Sequence, residues 1–274
     1  MDTPFVCPVC GAPLEAEPHR LFCPAGHSYD RARSGYVNLS MNQSSSAKRH
    51  GDDRLMIRAR SAFLDSGAYE KLARRLTELS LPLIAGGDLF LDAGCGEGYY
   101  TSFFAQAARQ AGICLTAAGA DLSKEALIAA ARRDRSLHLA VAGLYSLPLA
   151  DASCSLVWNL FAPLAGEEFA RVLKPGGSLF RAFPLEDHLM GLKEILYDRP
   201  YENHPQIPAL EGFEKPVTEE LRFQLEISDA GHIQALFAMT PYYYKTSAAD
   251  QEKLRAVSHL VTPVAVGISR YVRL

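Results

Sequence analysis

Three glycines at alternate positions, Gly94, Gly96 and Gly98, form the most informative motif for chemistry in the sequence. They follow the apolar run 89–91 and Asp92, and an amphipathic run comes after them. This order predicts a buried strand, a tight turn and the start of a helix. Glycine in the turn would let a ligand approach the backbone closely, because a side chain would block that approach. Alone, the G-x-G-x-G pattern is only weakly specific for a nucleotide-like ligand.

A second apolar run, 113–120, ends in Asp121. An acidic side chain at the end of the second strand of a nucleotide-binding sheet can hold ribose hydroxyls. The first strand, the D-x-G-x-G-x-G turn and this second acid together resemble the S-adenosylmethionine site of class I methyltransferases. The resemblance implies S-adenosylmethionine contacts from Gly94, Gly96, Gly98 and Asp121.

Two pairs of potential metal ligands lie within the first 27 residues. The pairs have C-x2-C and C-x3-H spacing, twelve residues lie between them, and their members are Cys7, Cys10, Cys23 and His27. Three thiolates and one imidazole complete the tetrahedral shell of a structural Zn2+, with no position left open for catalysis. His19 is the alternative to His27, but we expect it to be a solvated loop residue. Because so short a segment buries little apolar surface, the metal would supply much of its folding free energy.

The segment 18–60 is basic, although the whole chain has a formal charge of −3. It holds eight Lys or Arg residues against three acids, and its polar stretch 42–53 has the composition of a flexible linker. A basic arm beside a zinc module indicates docking on the phosphate backbone of a nucleic acid. The alternative is an ordinary solvated surface.

The composition is typical of a globular protein: of 274 residues, 48% are hydrophobic and 22% are charged. No apolar run reaches the roughly 18 residues that a membrane span requires, and the N-terminus lacks the order of a secretory signal. Three of the six cysteines belong to the candidate metal site and the others are scattered, which indicates free thiols in a reducing compartment. We therefore expect a cytoplasmic protein that makes no membrane contact.

Alternating apolar and amphipathic segments predict the fold that positions these motifs. Two helices are expected within 55–84, with a break at Ser66 and Gly67. Further strands are expected at 137–142, 155–161 and 178–183, helices at 124–133 (capped by Ser123), 167–173 and 188–197, and closing antiparallel strands at 221–227 and 267–274. This alternation predicts an α/β protein with a doubly wound, seven-stranded Rossmann-like sheet of the class I methyltransferase type and a small N-terminal zinc ribbon. Ligands of such sheets bind beyond the carboxyl ends of the strands, where we expect the proline-rich connection 200–208 to form a lid.

Together, the metal-ligand spacing and five further segments resemble the RlmA family of bacterial 23S rRNA (guanine-N1-)-methyltransferases, which includes tylosin-resistance enzymes. The segments are 35–39, 63–69, 91–100, 188–190 and 239–241, so the resemblance extends over nearly the whole chain. It implies zinc ligation by the four residues named above, and S-adenosylmethionine contacts from Tyr69, Gly96, Glu97 and His188. It also implies methyl transfer to N1 of a guanine in a 23S rRNA hairpin. Segment 159–163 resembles the macrolide-resistance branch of the family.

The predicted organisation is 1–40 for a zinc-binding, RNA-docking module, 41–60 for a basic linker and 61–274 for an S-adenosylmethionine-dependent methyltransferase domain. Two other functions stay open: a small-molecule methyltransferase whose zinc ribbon is only structural, and a non-catalytic RNA-binding module. A homodimer also stays open. The sequence does not identify the general base that would remove the N1 proton of guanine, because Glu97 is expected to orient the cofactor.

Overall fold

The computed structural model describes residues 2–41 and 54–274. Its N-terminal part, the zinc ribbon, is a four-stranded antiparallel sheet of β1 (Asp2–Val6), β2 (Pro13–Ala16), β3 (Arg20–Phe22) and β4 (Ser28–Asp30), in that order. The β2–β3 hairpin brings the two pairs of potential metal ligands together, as their spacing predicts. The predicted flexible linker 42–53 lies outside the described residues.

The second sheet has eight strands: β5 (Val37–Asn38), β6 (Leu89–Ala93), β7 (Thr116–Asp121), β8 (His138–Val141), β9 (Cys154–Leu160), β10 (Leu173–Pro184), β11 (Val217–Ile227) and β12 (Leu260–Val272). Their order is β11-β12-β10-β9-β6-β7-β8-β5, and only the pairings of β12 with β10 and β11 are antiparallel. The chain changes direction across the sheet between β6 and β9, as in doubly wound folds. The seven predicted strands are therefore present. The eighth, β5, has only two residues, too few to give a periodic signal.

Eight α-helices connect or cover the strands: α1 (Arg54–Asp65), α2 (Glu70–Ser80), α3 (Tyr99–Gln110), α4 (Lys124–Arg133), α5 (Gly166–Val172), α6 (Met190–Leu196), α7 (Ala230–Ala238) and α8 (Ala248–Arg255) in the described ranges. The predicted break at Ser66 and Gly67 separates α1 from α2. The predicted N-cap is also confirmed, since the Ser123 hydroxyl accepts a hydrogen bond from the Ala126 amide at 3.3 Å. Within the ranges described, no helix is long and apolar enough to cross a membrane.

The large sheet has an apolar core on each face. Neighbouring residues of one strand alternate between the two cores: Phe90 packs in the first, and Leu91 packs in the second. The first core is completed by every helix except α5, whereas the second is completed by α5 and by the zinc ribbon. Phe5, Leu14 and Leu21 of the ribbon are all buried in this second core. The ribbon is therefore packed on the sheet and is not a tethered appendage.

Backbone pairing also joins the ribbon to the large sheet. The Val6 amide donates to the Pro148 carbonyl at 2.9 Å, beside a bridge between Phe5 and Leu149. At the other end of the ribbon, β5 pairs in parallel with β8. The boundary at residue 40 stays a prediction, but the last strand before it already belongs to the large sheet.

Candidate active site

A cavity of about 1830 Å³ opens at the carboxyl ends of the parallel strands. Six of the seven residues predicted to contact the cofactor line it: Tyr69, Gly94, Gly96, Glu97, Asp121 and His188. The seventh, Gly98, does not. Pro8, Val9 and His27 of the zinc ribbon line the same cavity. The glycine turn and the candidate metal module thus face one shared space.

The glycine turn is fixed by backbone geometry that other residues rarely adopt. Gly94, Gly96 and Gly98 have φ angles of +90°, +54° and +77°. A Cβ on Gly94 would lie 2.8 Å from the Cβ of Ala162, whereas a Cβ on Gly98 would lie 2.7 Å from that of Ala130 in α4. Gly98 is therefore required for packing of the turn against α4.

Asp121, at the end of β7, is held by two backbone amides. Its Oδ2 accepts from the Gly96 amide at 3.0 Å, and its Oδ1 accepts from the Ser123 amide at 2.8 Å. These two bonds orient the carboxylate at the edge of the cavity. The carboxylate joins the glycine turn to the start of α4.

Asp92, at the end of β6, is almost fully buried and lines the cavity. Its Oδ2 accepts from the Thr101 hydroxyl at 2.5 Å, but its buried Oδ1 has no partner within the described part of the chain. Burial raises the pKa of Asp92 to about 7, and the negative charge of Asp121 adds to this effect. Asp92 is consequently a buried acceptor whose charge changes near neutral pH.

Glu97 is held by residues that the sequence did not indicate. Its Oε2 accepts from Arg133 Nε at 3.0 Å and from the Ser61 hydroxyl at 3.2 Å. Arg133 also pairs with Asp65, so this guanidinium links α1, the glycine turn and α4. Burial raises the pKa of Glu97, although Arg133 opposes this effect. Among described atoms, the buried Glu97 Oε1 has no partner, and a donor on a ligand would satisfy it.

His188 and Tyr69 form a buried polar pair. The Ala265 amide donates to His188 Nδ1 at 3.2 Å, so the ring proton of the neutral imidazole is on Nε2, which lies 3.3 Å from the Tyr69 hydroxyl. Burial lowers the pKa of His188 to about 4 and raises the pKa of Tyr69 well above its ordinary value. Because Nε2–H donates to the tyrosine oxygen, the Tyr69 proton is left to donate to another acceptor.

The four potential metal ligands have their donor atoms within 4.8 Å of one another. Cys10 Sγ lies 3.7 Å from Cys23 Sγ, and His27 Nδ1 lies 3.3 Å from Cys23 Sγ. Tetrahedral Zn2+ with ordinary bond lengths places two sulfurs about 3.8 Å apart, and a sulfur and a nitrogen about 3.6 Å apart. The donor set therefore fits zinc without rearrangement of the backbone. His19, the alternative ligand, is exposed and is not part of this cluster.

Cys7 has a further neighbour that the sequence did not indicate. Although burial acts in the opposite direction, hydrogen bonds from Tyr29 and from backbone amides lower the pKa of Cys7 to about 6. The Tyr29 hydroxyl lies 3.1 Å from its Sγ. Such a partner orients a thiolate ligand and stabilises its negative charge.

The prediction that the proline-rich connection 200–208 forms a lid over the cavity is wrong. None of residues 197–216, all of which the structure describes, lines the cavity. The connection contacts the cavity wall without forming part of it: Arg181, which lines the cavity, donates to the Gln206 carbonyl at 2.6 Å, and Lys193 donates to the Tyr201 carbonyl at 2.9 Å. Residues 239–242, which follow α7, contribute to the cavity wall instead.

Basic side chains reach the cavity from three elements: Arg60 of α1, Lys124 of α4 and Arg181 of β10. Two other members of the predicted basic segment pair with acids: Arg20 with Glu17 and Arg54 with Glu125, each at 2.8 Å. Part of the positive charge that could attract a polyanion is consequently located in the cavity wall.

Models of known families match both parts of the chain. The model for the N-terminal zinc ribbon of RlmA matches residues 5–46, and a model of a methyltransferase domain matches residues 91–181. The first contains the four clustered ligands, and the second contains the glycine turn and Asp121.

Relatives of known name extend the similarity to the rest of the chain. A Micromonospora griseorubida protein with the provisional name 23S rRNA (guanine-N(1)-)-methyltransferase is 35% identical, over 97% of this chain and 96% of its own. The 23S rRNA (guanine(748)-N(1))-methyltransferase of Streptomyces fradiae is 37% identical, over 69% of this chain and 66% of its own. A Bacillus subtilis (strain 168) protein, YxjB, which carries the same provisional name as the first, is 31% identical over 86% of each chain. With its ribbon, glycine turn and shared cavity, the chain belongs to the RlmA family of 23S rRNA (guanine-N1-)-methyltransferases.

Proposed function

We propose that the protein transfers a methyl group from S-adenosylmethionine to N1 of a guanine in a 23S rRNA hairpin. The observation that carries this proposal is the single cavity lined by the glycine turn, Asp121 and the zinc ribbon. Similarity to the M. griseorubida relative over nearly the whole chain supports the same activity. A ribosomal substrate also supports action in the cytoplasm. A small-molecule methyltransferase would not need a ribbon in the wall of its cavity.

S-adenosylmethionine would supply a methyl group on a cationic sulfur. A bond forms between guanine N1 and the methyl carbon, the C–S electron pair stays on sulfur, and the N1 proton is lost to a base or to water. The chain fits such a ligand, because Asp92 Oδ1 and Glu97 Oε1 are buried acceptors that a ligand ammonium group would satisfy. In the proposal, Asp121 accepts from the ribose hydroxyls and Tyr69 donates to the ligand carboxylate. Gly94 and Gly96 keep the turn open, and His188 orients Tyr69. Gly98 packs the turn against α4 and, as part of the same turn, stays a predicted contact of the cofactor.

The zinc ribbon has the RNA-docking role in this proposal. Cys7, Cys10, Cys23 and His27 hold one structural Zn2+. Residues 1–40 form the docking module, 41–60 a basic connection whose last seven residues begin α1, and 61–274 the methyltransferase domain. Guanine N1 lies on the pairing edge of the base, so the target must be unpaired or extruded. Alignment of N1 with the methyl group then accounts for much of the rate. A homodimer is compatible with this scheme, and sedimentation analysis tests it.

Methyl transfer to naked 23S rRNA tests the proposal. Purified protein with tritiated S-adenosylmethionine should label the RNA, and primer extension should stop at one guanine, because N1 methylation blocks base pairing. Label that enters only small molecules, or RNA that is bound in a gel shift but never labelled, would refute the proposed activity and favour one of the two alternatives.

We expect Asp121→Ala to weaken S-adenosylmethionine binding by at least about tenfold, since hydrogen bonds to charged groups are worth about 1.5–3 kcal/mol. The loss has two causes: the ribose partner disappears, and the Gly96 amide loses its acceptor. Isothermal titration calorimetry measures the affinity, and zinc content should not change. Ser123→Ala is the control, because it removes the hydroxyl that caps α4 and leaves the Asp121 carboxylate in place. Equal affinity in Asp121→Ala and wild type would remove this residue from the site.

The affinity for S-adenosylmethionine should rise with pH between 6 and 8. With a pKa of about 7, Asp92 changes from about one-tenth to about nine-tenths ionised, so affinity rises about tenfold if only the carboxylate form binds. The folding stability of the protein without ligand should follow the opposite trend with pH. Asp92 binds its proton more tightly in the folded protein than in the unfolded chain, where the pKa of an aspartate is about 4. This contribution to stability is lost as pH rises from about 4 through 7. Calorimetry across this range measures the affinity, and a pH dependence that persists in Asp92→Asn would exclude Asp92 as its source.

A further inference from the structure

Phe161 has an unusual conformation directly beside the glycine turn. It follows β9 and has a φ of +54°, one of three positive values among the non-glycine residues described. A large L-residue adopts this left-handed conformation only at a cost in free energy, and such residues cluster at functional sites. Another of the three, Leu189, lines the same cavity, whereas Ala152 does not.

Neighbouring groups hold this conformation in place. The Phe161 amide donates to the Ala182 carbonyl at 2.9 Å. The buried Asn159 side chain donates from Nδ2 to the Ala93 carbonyl at 3.2 Å and to the Pro163 carbonyl at 3.1 Å, which closes a tight turn around residue 161. A change of Phe161 to an unstrained backbone conformation would break these hydrogen bonds. The turn therefore maintains the position of the phenyl ring.

This position leaves the ring partly uncovered inside the cavity. The Phe161 side chain is 44% exposed and lines the cavity. The methyl group of the next residue, Ala162, occupies the space beside Gly94 where a side chain would lie, and the Phe161 ring centroid lies 6.2 Å from that of His188. The ring is thus next to the residues proposed to bind the methyl donor, and it is not part of either apolar core.

The cavity has further exposed apolar side chains at residues Val9, Met41, Leu122 and Tyr145. Exposed apolar groups that collect around one cavity indicate a binding surface for an apolar partner. A phosphate backbone alone would not use them, but the planar faces of bases would. A base that leaves its helix loses its stacking neighbours, and enzymes that act on such bases replace them with aromatic side chains.

We propose that Phe161 is the stacking platform for the extruded target guanine. The strained turn presents the ring to the base, and stacking holds N1 in line with the methyl group. The residue acts by direct contact with the substrate and takes no part in proton transfer. This inference rests on the proposed function, because it assumes that an RNA base enters the cavity.

Four substitutions separate stacking from a structural role: Phe161→Ala, Phe161→Gly, Phe161→Tyr and Phe161→Trp. Glycine relieves the left-handed strain and alanine does not, so the glycine variant should be the more stable of the two. If stacking is the role, both should lower kcat/KM for naked 23S rRNA by the same factor, about 5- to 150-fold from the usual worth of base–aromatic stacking. The tyrosine and tryptophan variants should retain the wild-type value within a few-fold. All four should bind S-adenosylhomocysteine as wild type does.

The matched control is Ala152→Gly, which relieves the same kind of strain at an exposed turn outside the cavity. It should raise the unfolding temperature and leave methyl transfer unchanged. If Phe161→Gly is both more stable and more active than Phe161→Ala, the loss of activity follows stability and the inference is overturned. Full activity in Phe161→Ala would overturn it as well, as would an equal loss in the tyrosine and tryptophan variants. If the wild-type protein fails to label the RNA, the proposed function itself is wrong. If the protein is active but its rate does not depend on an aromatic side chain at position 161, only the stacking role of Phe161 is wrong.

Discussion

Cys23→Ser should abolish zinc binding and lower methyl transfer to naked 23S rRNA by about 100-fold or more. In zinc-finger peptides the metal contributes about 10–16 kcal/mol to folding, more than the core of so small a ribbon can replace. Pro8 and Val9 of the ribbon line the cavity, so a disordered ribbon misplaces the RNA, and a misplacement of about 1 Å can cost 100-fold in rate. Metal analysis and a filter-binding assay of tritium transfer measure the two effects.

The control for this variant is Cys114→Ser, which changes an exposed thiol outside the metal cluster. It should keep its zinc and its activity. Affinity for S-adenosylhomocysteine should stay close to wild type in both variants, because the residues proposed to bind the cofactor all lie outside the ribbon. A Cys23→Ser protein that retains one zinc per chain, or that methylates RNA normally, would contradict the ligand assignment.

Gly98→Ala should be strongly destabilising, although this glycine does not line the cavity. Its φ of +77° costs an alanine about 1–2 kcal/mol. Its new Cβ would also lie 2.7 Å from the Cβ of Ala130 and 3.0 Å from its Cα, and such overpacking costs about 1–3 kcal/mol more. The free energy of unfolding, measured by urea denaturation, should therefore fall by about 2–5 kcal/mol.

Gly112→Ala isolates the contribution of packing. Gly112 has a similar φ of +75°, but no atom lies within 4 Å of a Cβ built on it. It should show the conformational cost without the steric one. Equal losses of stability in the two variants would mean that α4 adjusts freely, and the packing role of Gly98 would then be wrong. The difference between the two variants is the quantity of interest, because it does not depend on the unfolded chain.

Local sequence patterns were sufficient for much of this architecture. The apolar run before Asp92 predicted β6 and the turn after it, since a buried strand and a glycine turn are each encoded within a few residues. The C-x2-C and C-x3-H pairs likewise identified the four clustered donors, because a hairpin of twelve residues has few ways to fold. Such features depend on neighbours in the chain.

Features that depend on distant partners were missed. The pairing of β5 with β8 joins residues about a hundred positions apart and leaves no periodic signal in two residues. The packing of Gly98 on Ala130 and the binding of Glu97 by Arg133 are also choices of tertiary structure. The same holds for residues 239–242, whose place in the cavity wall follows from how α7 packs on α1. Sequence patterns identify which residues are unusual, but packing decides which partners they have.

The attachment of the ribbon at both of its ends has a consequence for engineering and for evolution. β1 is hydrogen-bonded to Pro148, and β5 extends the large sheet. The large sheet therefore fixes the position of the ribbon at the cavity. A chimera that exchanges ribbons between relatives should therefore keep its target nucleotide only if Phe5 and β5 are exchanged together with their counterparts at 148–149 and in β8. Substitutions at these positions should therefore occur together during evolution. A change of target to a neighbouring nucleotide would require all of these attachment residues to change.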